Sequence, residues 1–122
     1  MLIDNEVAVV YSTNMPLAPS SIQPFLATTL DQTNFSGLGE RYVGKVRDVY
    51  SHGDQSILIA TDRQSAFDIS WCTIPLKGQT LNQISAWWFE QIKDIMPTHV
   101  IAVPDENAMV VKKLHMLKDR KS

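Results

Sequence analysis

The sequence predicts an α+β chain, and three stretches of its 122 residues carry that prediction. Two runs joined by a polar turn at His52–Gln55 read as a β-hairpin, the second of them, Ser56–Thr61, apolar on both faces. Thr80–Ile95 reads as the one strong helix. His99–Val103 and Ala108–Val111 read as two further strands around the turn Pro104–Asn107.

Taken in order, residues 1–24 read as an irregular extension, because Pro16, Pro19 and Pro24 with Ser20 and Ser21 break any periodicity. Within it Glu6–Tyr11 has the pattern of a short strand. Phe25–Asp31 has modest helical spacing, followed by Gly37 and Gly39 as breakers. The first hairpin strand then places Val43, Lys45, Arg47 and Val49 on one face, and Tyr42, Gly44, Val46, Asp48 and Tyr50 on the other. Two cations between two valines suit a ligand with an apolar ring at one end and phosphates at the other. They are equally the pattern of a solvated strand face. Gly44 lets a ligand approach the backbone. Ser56–Thr61, apolar on both faces, belongs in the middle of a sheet.

Ile69–Ile74 reads as a strand ended by Pro75, with Trp71 and Thr73 facing away from Ser70 and Cys72. Thr80 and Gln83 have capping-box spacing, and Leu81, Ile84, Trp88, Ile92 and Ile95 form one apolar stripe before Pro97 stops the helix. Trp87 and Phe89 widen that stripe, so the tryptophan pair reads as core rather than as a stacking platform.

Composition excludes several classes. A hydrophobic fraction of 44% is enough for a core, and a net charge of −2 argues against a general nucleic-acid or membrane binder. Residues 1–40 hold no Lys or Arg, which is not the pattern of a secretory or transit leader. Cys72 is the only cysteine, so no intrachain disulfide forms, which fits a reducing cytoplasm, and it reads as a buried inert thiol. His52, His99 and His115 have no metal-ligand spacing and read as surface or turn residues. Five of the 11 cations fall in residues 112–121, the pattern of a solvated terminus. Neither common phosphate-loop motif is present, and Ser65 lacks a nucleophile elbow. There remain Asp62, Arg63 and Asp68, where the buried strand ends. The carboxylates can hold Mg²⁺ or substrate hydroxyls, and Arg63 can meet a phosphate; equally, Asp62 and Arg63 can cap the loop and pair with neighbours.

Gly44-Lys-Val-Arg-Asp-Val-Tyr50 followed by Thr61-Asp-Arg-Gln-Ser-Ala-Phe-Asp68 resembles the paired signature of SAICAR synthetase, the phosphoribosylaminoimidazole-succinocarboxamide synthase family of purine biosynthesis. Pro75–Phe89 is similar to the family's next loop and helix, and Val110–Met116 to its following nucleotide-contacting segment. The resemblance runs from about Phe25 to Leu117. It implies an ATP-dependent ligase that joins the carboxylate of carboxyaminoimidazole ribonucleotide to the amine of L-aspartate, with Mg²⁺, through an acyl phosphate. It implies an α+β fold, an antiparallel sheet with a packed helix, as the ATP-binding lobe (residues 25–122) of a two-lobed protein. It assigns Gly44, Lys45, Val46 and Arg47 to the nucleotide phosphates. The main chain of Val111 and Lys112 is assigned to the adenine edge, and Met116 to the ring. Arg63, Ser65 and Asp68 fall on the substrate side of the cleft.

After Leu117 the likeness stops, where the family continues through a Glu-containing strand and Val-Val-Arg-Gly-Tyr into a larger lobe. On this reading the chain is an N-terminal piece, inactive alone, with apolar surface that favours self-association. The rival readings are a stand-alone nucleotide-binding or regulatory module without catalysis, and a fragment that serves only in assembly.

Overall fold

The computed structural model describes residues 19–115 and 117. The strand expected at Glu6–Tyr11, Met116 and the terminal cations Lys118, Arg120 and Lys121 lie outside them. The described residues open with one helical turn, α1 (Pro19–Ile22), and a 3-10 turn at Gln23–Phe25, so the last part of the extension expected to be irregular is helical.

The five-stranded antiparallel sheet comprises β1 (Glu40–Val43), β2 (Arg47–His52), β3 (Gln55–Ala60), β6 (Val100–Asp105) and β7 (Ala108–Lys112), in the order β1-β2-β3-β7-β6. The expected hairpin is β2–β3. His52 pairs with Gln55 across the two-residue connection Gly53-Asp54, where Gly53 takes φ 60°. β3 lies in the middle of the sheet, as its two apolar faces require. Pro104 sits in β6 at the sheet edge, where a missing amide is tolerated. A separate ribbon pairs β4 (Arg63–Ala66) with β5 (Ile69–Thr73). The expected helix is α2 (Lys77–Ile92), packed against β3 and β7. No helix among the described residues is long and apolar enough to cross a membrane.

Four expectations need correction. First, Lys45 and Arg47 do not share a strand face. The chain reverses at Gly44–Val46, where the Gly44 amide donates to the Arg47 carbonyl at 2.8 Å, and β1 folds back so that Tyr42 lies opposite Val49. Second, Phe25–Asp31 forms no α-helix: only Phe25 lies in the 3-10 turn, and main-chain amides from Leu30 onward are bonded one by one to side chains of the folded body, Leu30 to Asp62, Thr33 to Asp48 and Phe35 to Tyr50. Third, Cys72 is exposed, on the two-stranded ribbon β4–β5.

Fourth, α2 starts three residues early and is turned about its axis. Its N-cap residue, Leu76, supplies no side-chain cap, and the Thr80 hydroxyl bonds back to Leu76 inside the first turn rather than serving as a cap. Gly78 and Asn82 are the buried helix residues, while Trp87 and Trp88 are 55% and 57% exposed, edge to face with each other. Two contacts outweigh the apolar stripe. A Cβ at Gly78 would strike the Ala60 carbonyl and the Asn107 side chain, so the helix crosses β3 closely only with glycine there. The Asn82 amide donates to the Glu106 carbonyl at 3.0 Å and the Ala108 carbonyl at 3.3 Å, fastening the helix to the β6–β7 turn.

This rotation predicts that Trp88→Ala and Trp87→Ala each cost under about 1 kcal/mol, as exposed substitutions do. Met109→Ala, at a buried site, should cost about 2–5 kcal/mol. Denaturant midpoints followed by circular dichroism test the order; a Trp88→Ala loss as large as that of Met109→Ala refutes the rotation.

Candidate functional site

The site is built around the segment Thr61-Asp62-Arg63 that leaves β3. Asp62 is buried, and each oxygen of its carboxylate holds a different element. One accepts the Gly78 amide at 2.8 Å, capping α2 from outside the helix, and the other accepts the Leu30 amide at 2.9 Å. Arg63 is 7% exposed and its guanidinium makes four hydrogen bonds to protein. It donates to the carbonyls of Lys45 (3.2 Å), Gly44 (3.1 Å) and Asp31, and to the Asp48 carboxylate (2.9 Å). Asp48, at 0% exposure, also accepts the Thr33 amide at 2.6 Å and the Thr33 hydroxyl at 2.9 Å, with Arg41 at 3.7 Å. Of the two readings left open for Asp62 and Arg63, the structure takes the second: they cap and pair. Arg63, placed by resemblance on the substrate side, reaches the cleft wall with four of its five donors bonded to protein.

In front of this frame lies a cleft of about 340 Å³, lined by Gly44, Lys45, Arg63, Ser65 and Asp68 among others. Five of the residues named on resemblance, Gly44, Lys45, Arg63, Ser65 and Asp68, meet here. Lys45 stands at the β1–β2 turn and Asp68 at the β4–β5 turn, and their exposed side chains form an ion pair across the opening. Phe67 and Asp68, the two residues of that second turn, have φ 51° and 63°. The type I′ geometry of a tight hairpin requires such values, and they strain non-glycine residues. Phe67 is 94% exposed.

Arg47 lies elsewhere. It lines a cavity of about 180 Å³ between the sheet and α2, with Leu58, Met109 and Phe89 as apolar walls and Asn82 and Ser85 as polar ones. Its side chain has no partner among the described residues. His99, read from sequence as a surface or turn residue, is half-buried on this cavity, edge to face with Phe89. Val111 and Lys112, expected by resemblance at an adenine edge, end β7. β7 is flanked on both sides, by β3 and β6, and the Lys112 amide donates to the His99 carbonyl at 2.8 Å. Among the described residues no group of three or more His, Cys, Asp or Glu side chains is placed to hold a metal ion.

Sequence reasoning passed over Thr61 and Asp48. Thr61, 1% exposed, directs both its amide (3.1 Å) and its hydroxyl (2.8 Å) to the Val46 carbonyl. The signal for Asp48 was present: it alternates with Tyr50 on one face of its strand, and a carboxylate beside a buried tyrosine requires a partner.

A sequence profile of SAICAR synthetase matches residues 40–118. The phosphoribosylaminoimidazole-succinocarboxamide synthase of Legionella pneumophila (strain Lens) is 56% identical over 75 residues, 62% of this chain and 24% of that protein. The chloroplastic enzyme of that name from Vigna aconitifolia is 47% identical over 94 residues, 77% of this chain and 28% of that protein. Among solved structures, a SAICAR synthase from Saccharomyces cerevisiae matches in fold, with a TM-score of 0.62 at 24% identity over 70% of this chain and 37% of that one. A type-2 SAICAR synthetase in complex with ADP has a TM-score of 0.58 at 30% identity, over 64% of this chain and 35% of that one. The chain therefore spans about a quarter of the length of the curated relatives it matches.

The buried network makes stability depend on pH. Burial alone pushes the Asp48 carboxyl up, but the Thr33 amide, the Arg63 guanidinium and the Thr33 hydroxyl together outweigh it and hold the group below its usual value. Unfolded, it titrates near about 3.9. Its contribution is therefore complete above about pH 4 and is lost as pH falls through the lower folded value. Urea unfolding across pH 2–7 should show that acid limb. Asp48→Asn should flatten the limb and cost about 3–5 kcal/mol at neutral pH, the usual result of leaving a buried partner charge alone. A parallel shift of the whole profile refutes the assignment.

Proposed function

The chain belongs to the SAICAR synthetase family, and from that premise we propose that it forms the nucleotide-binding part of an ATP-dependent ligase of purine biosynthesis. The reaction of that reading joins carboxyaminoimidazole ribonucleotide to L-aspartate, giving SAICAR, ADP and phosphate. Residues 25–122 are the nucleotide lobe in it, and the cytoplasm is the compartment.

One observation carries the reading furthest. The turn Gly44–Val46 offers the Lys45 ammonium and two amides, those of Lys45 and Val46, that have no partner among the described residues. Main-chain amides beside a cation are the donor set that a phosphate chain requires. Arg47, with no side-chain partner among the described residues, lines the cavity between the sheet and α2 and adds a second cation within two residues. ATP supplies the phosphoryl group that turns a carboxylate oxygen into a leaving group. The chain's own part is to bind and orient: Lys45 and Arg47 neutralise phosphate charge, and Ser65 and Asp68 face the acceptor side of the cleft. In this reading the adenine edge falls to the main chain of Val111 and Lys112. The acidic groups do not fit a protein-held Mg²⁺, so no step is assigned to the metal here.

A chimera tests the reading. Replacing the matching 75 residues of the Legionella enzyme with those of this chain should retain synthase turnover. Lys45→Ala or Arg47→Ala within it should raise the KM for ATP about tenfold or more, because a charge-assisted phosphate contact is worth about 1.5–3 kcal/mol. An active chimera whose ATP kinetics ignore both substitutions overturns the phosphate assignment.

A further inference from the structure

The three carbonyls of the Gly44–Val46 turn are all held from behind, and by one short segment. Arg63 donates to Gly44 and Lys45, and Thr61 donates twice to Val46. Both side chains are buried, and neither spends these donors on the cleft. Arg63 is fixed in turn by Asp48, which has no exposure and is held by Thr33. A turn whose carbonyls are all fastened on one side is held against flipping its peptide planes, and the Lys45 and Val46 amides have no partner among the described residues. We propose that Thr61 and Arg63 are positioning residues for phosphate binding, locking the peptide planes of the Gly44–Val46 turn so that its free amides and Lys45 meet a nucleotide's phosphates pre-organised.

This inference rests on the nucleotide reading above and assigns to Arg63 and Thr61 a role that does not involve touching the substrate. An unlocked turn would still carry the same charges. What it would lose is pre-organisation, because the cost of ordering the turn would then fall on binding.

Titration calorimetry of the 122-residue chain with ADP tests it. Thr61→Val keeps the shape and the main-chain bond but removes the hydroxyl donor, and Thr61→Ser restores that donor. Arg63→Lys keeps the cation beside Asp48 but cannot reproduce the fork that reaches two turn carbonyls. Thr61→Val and Arg63→Lys should weaken ADP about five- to tenfold in protein whose circular dichroism remains native, and Thr61→Ser should stay within about twofold of wild type. Hydrogen exchange should slow on ADP addition in the peptide covering Gly44–Arg47 for wild type and Thr61→Ser, and much less for Thr61→Val.

A merely structural role predicts lower unfolding midpoints with unchanged affinity in the folded protein, and that result overturns the proposal. If Lys45→Ala alone weakens ADP, the nucleotide reading stands and the clamp falls. If Lys45→Ala has no effect while Thr61→Val weakens ADP, the clamp stands on the amides and the lysine assignment falls. A wild-type chain that does not bind ADP overturns both.

Discussion

A guanidinium taken out of water must find acceptors for its donors, and in this molecule meeting that demand draws the chain together. Arg63 takes its acceptors from Asp31, Gly44, Lys45 and Asp48, which belong to a loop, a turn and the start of a strand. Asp62 beside it does the same with opposite polarity, accepting from Leu30 and from the first turn of the helix. The two adjacent residues thereby fix the loop, the β1–β2 turn, β2 and α2 relative to β3. Among the described residues seven polar or charged side chains are buried against five apolar ones, so this fold is specified by matched hydrogen bonds at least as much as by its small apolar core.

That balance explains which features were legible in the sequence. The β2–β3 hairpin, the central place of β3 and the strand β7 follow from local alternation and turn residues, which need no knowledge of the rest of the chain. The rotation of α2 does not. Its apolar residues announce one face, yet Gly78 and Asn82 choose another, because a close backbone crossing and an amide bonded to several carbonyls are tertiary demands that periodicity does not register. The reversal at Gly44 was hidden for a related reason. Val43 to Val49 alternates as a strand would, and only the Gly44–Arg47 bond and the pull of Arg63 on the turn carbonyls reveal the fold-back.

The candidate site was legible as a place more than as a set of roles. The two signature stretches, Gly44–Tyr50 and Thr61–Asp68, lie apart in sequence but are largely the two halves of one contact set. Thr61 and Arg63 of the second grip Gly44, Lys45, Val46 and Asp48 of the first, and Lys45 returns the contact to Asp68. A motif read as a row of ligand-touching residues is thus partly a row of residues that touch each other. Arg63 is the clearest instance, and Thr61, which no chemical expectation singled out, is its companion. Residue type alone does not separate the two roles, since a guanidinium suits a phosphate and a ring of carbonyls equally well.

The outward turn of α2 has an optical consequence. The three tryptophans of the chain, Trp71, Trp87 and Trp88, are all more than half exposed, while the buried aromatic is Tyr50. Indole emission ordinarily reddens when a core opens to water, but here the indoles already face water in the folded state. Their fluorescence is a poor gauge of whether the sheet is intact. Two of them sit side by side on one helix face, so the same emission is a sensitive gauge of any surface that comes to lie over α2.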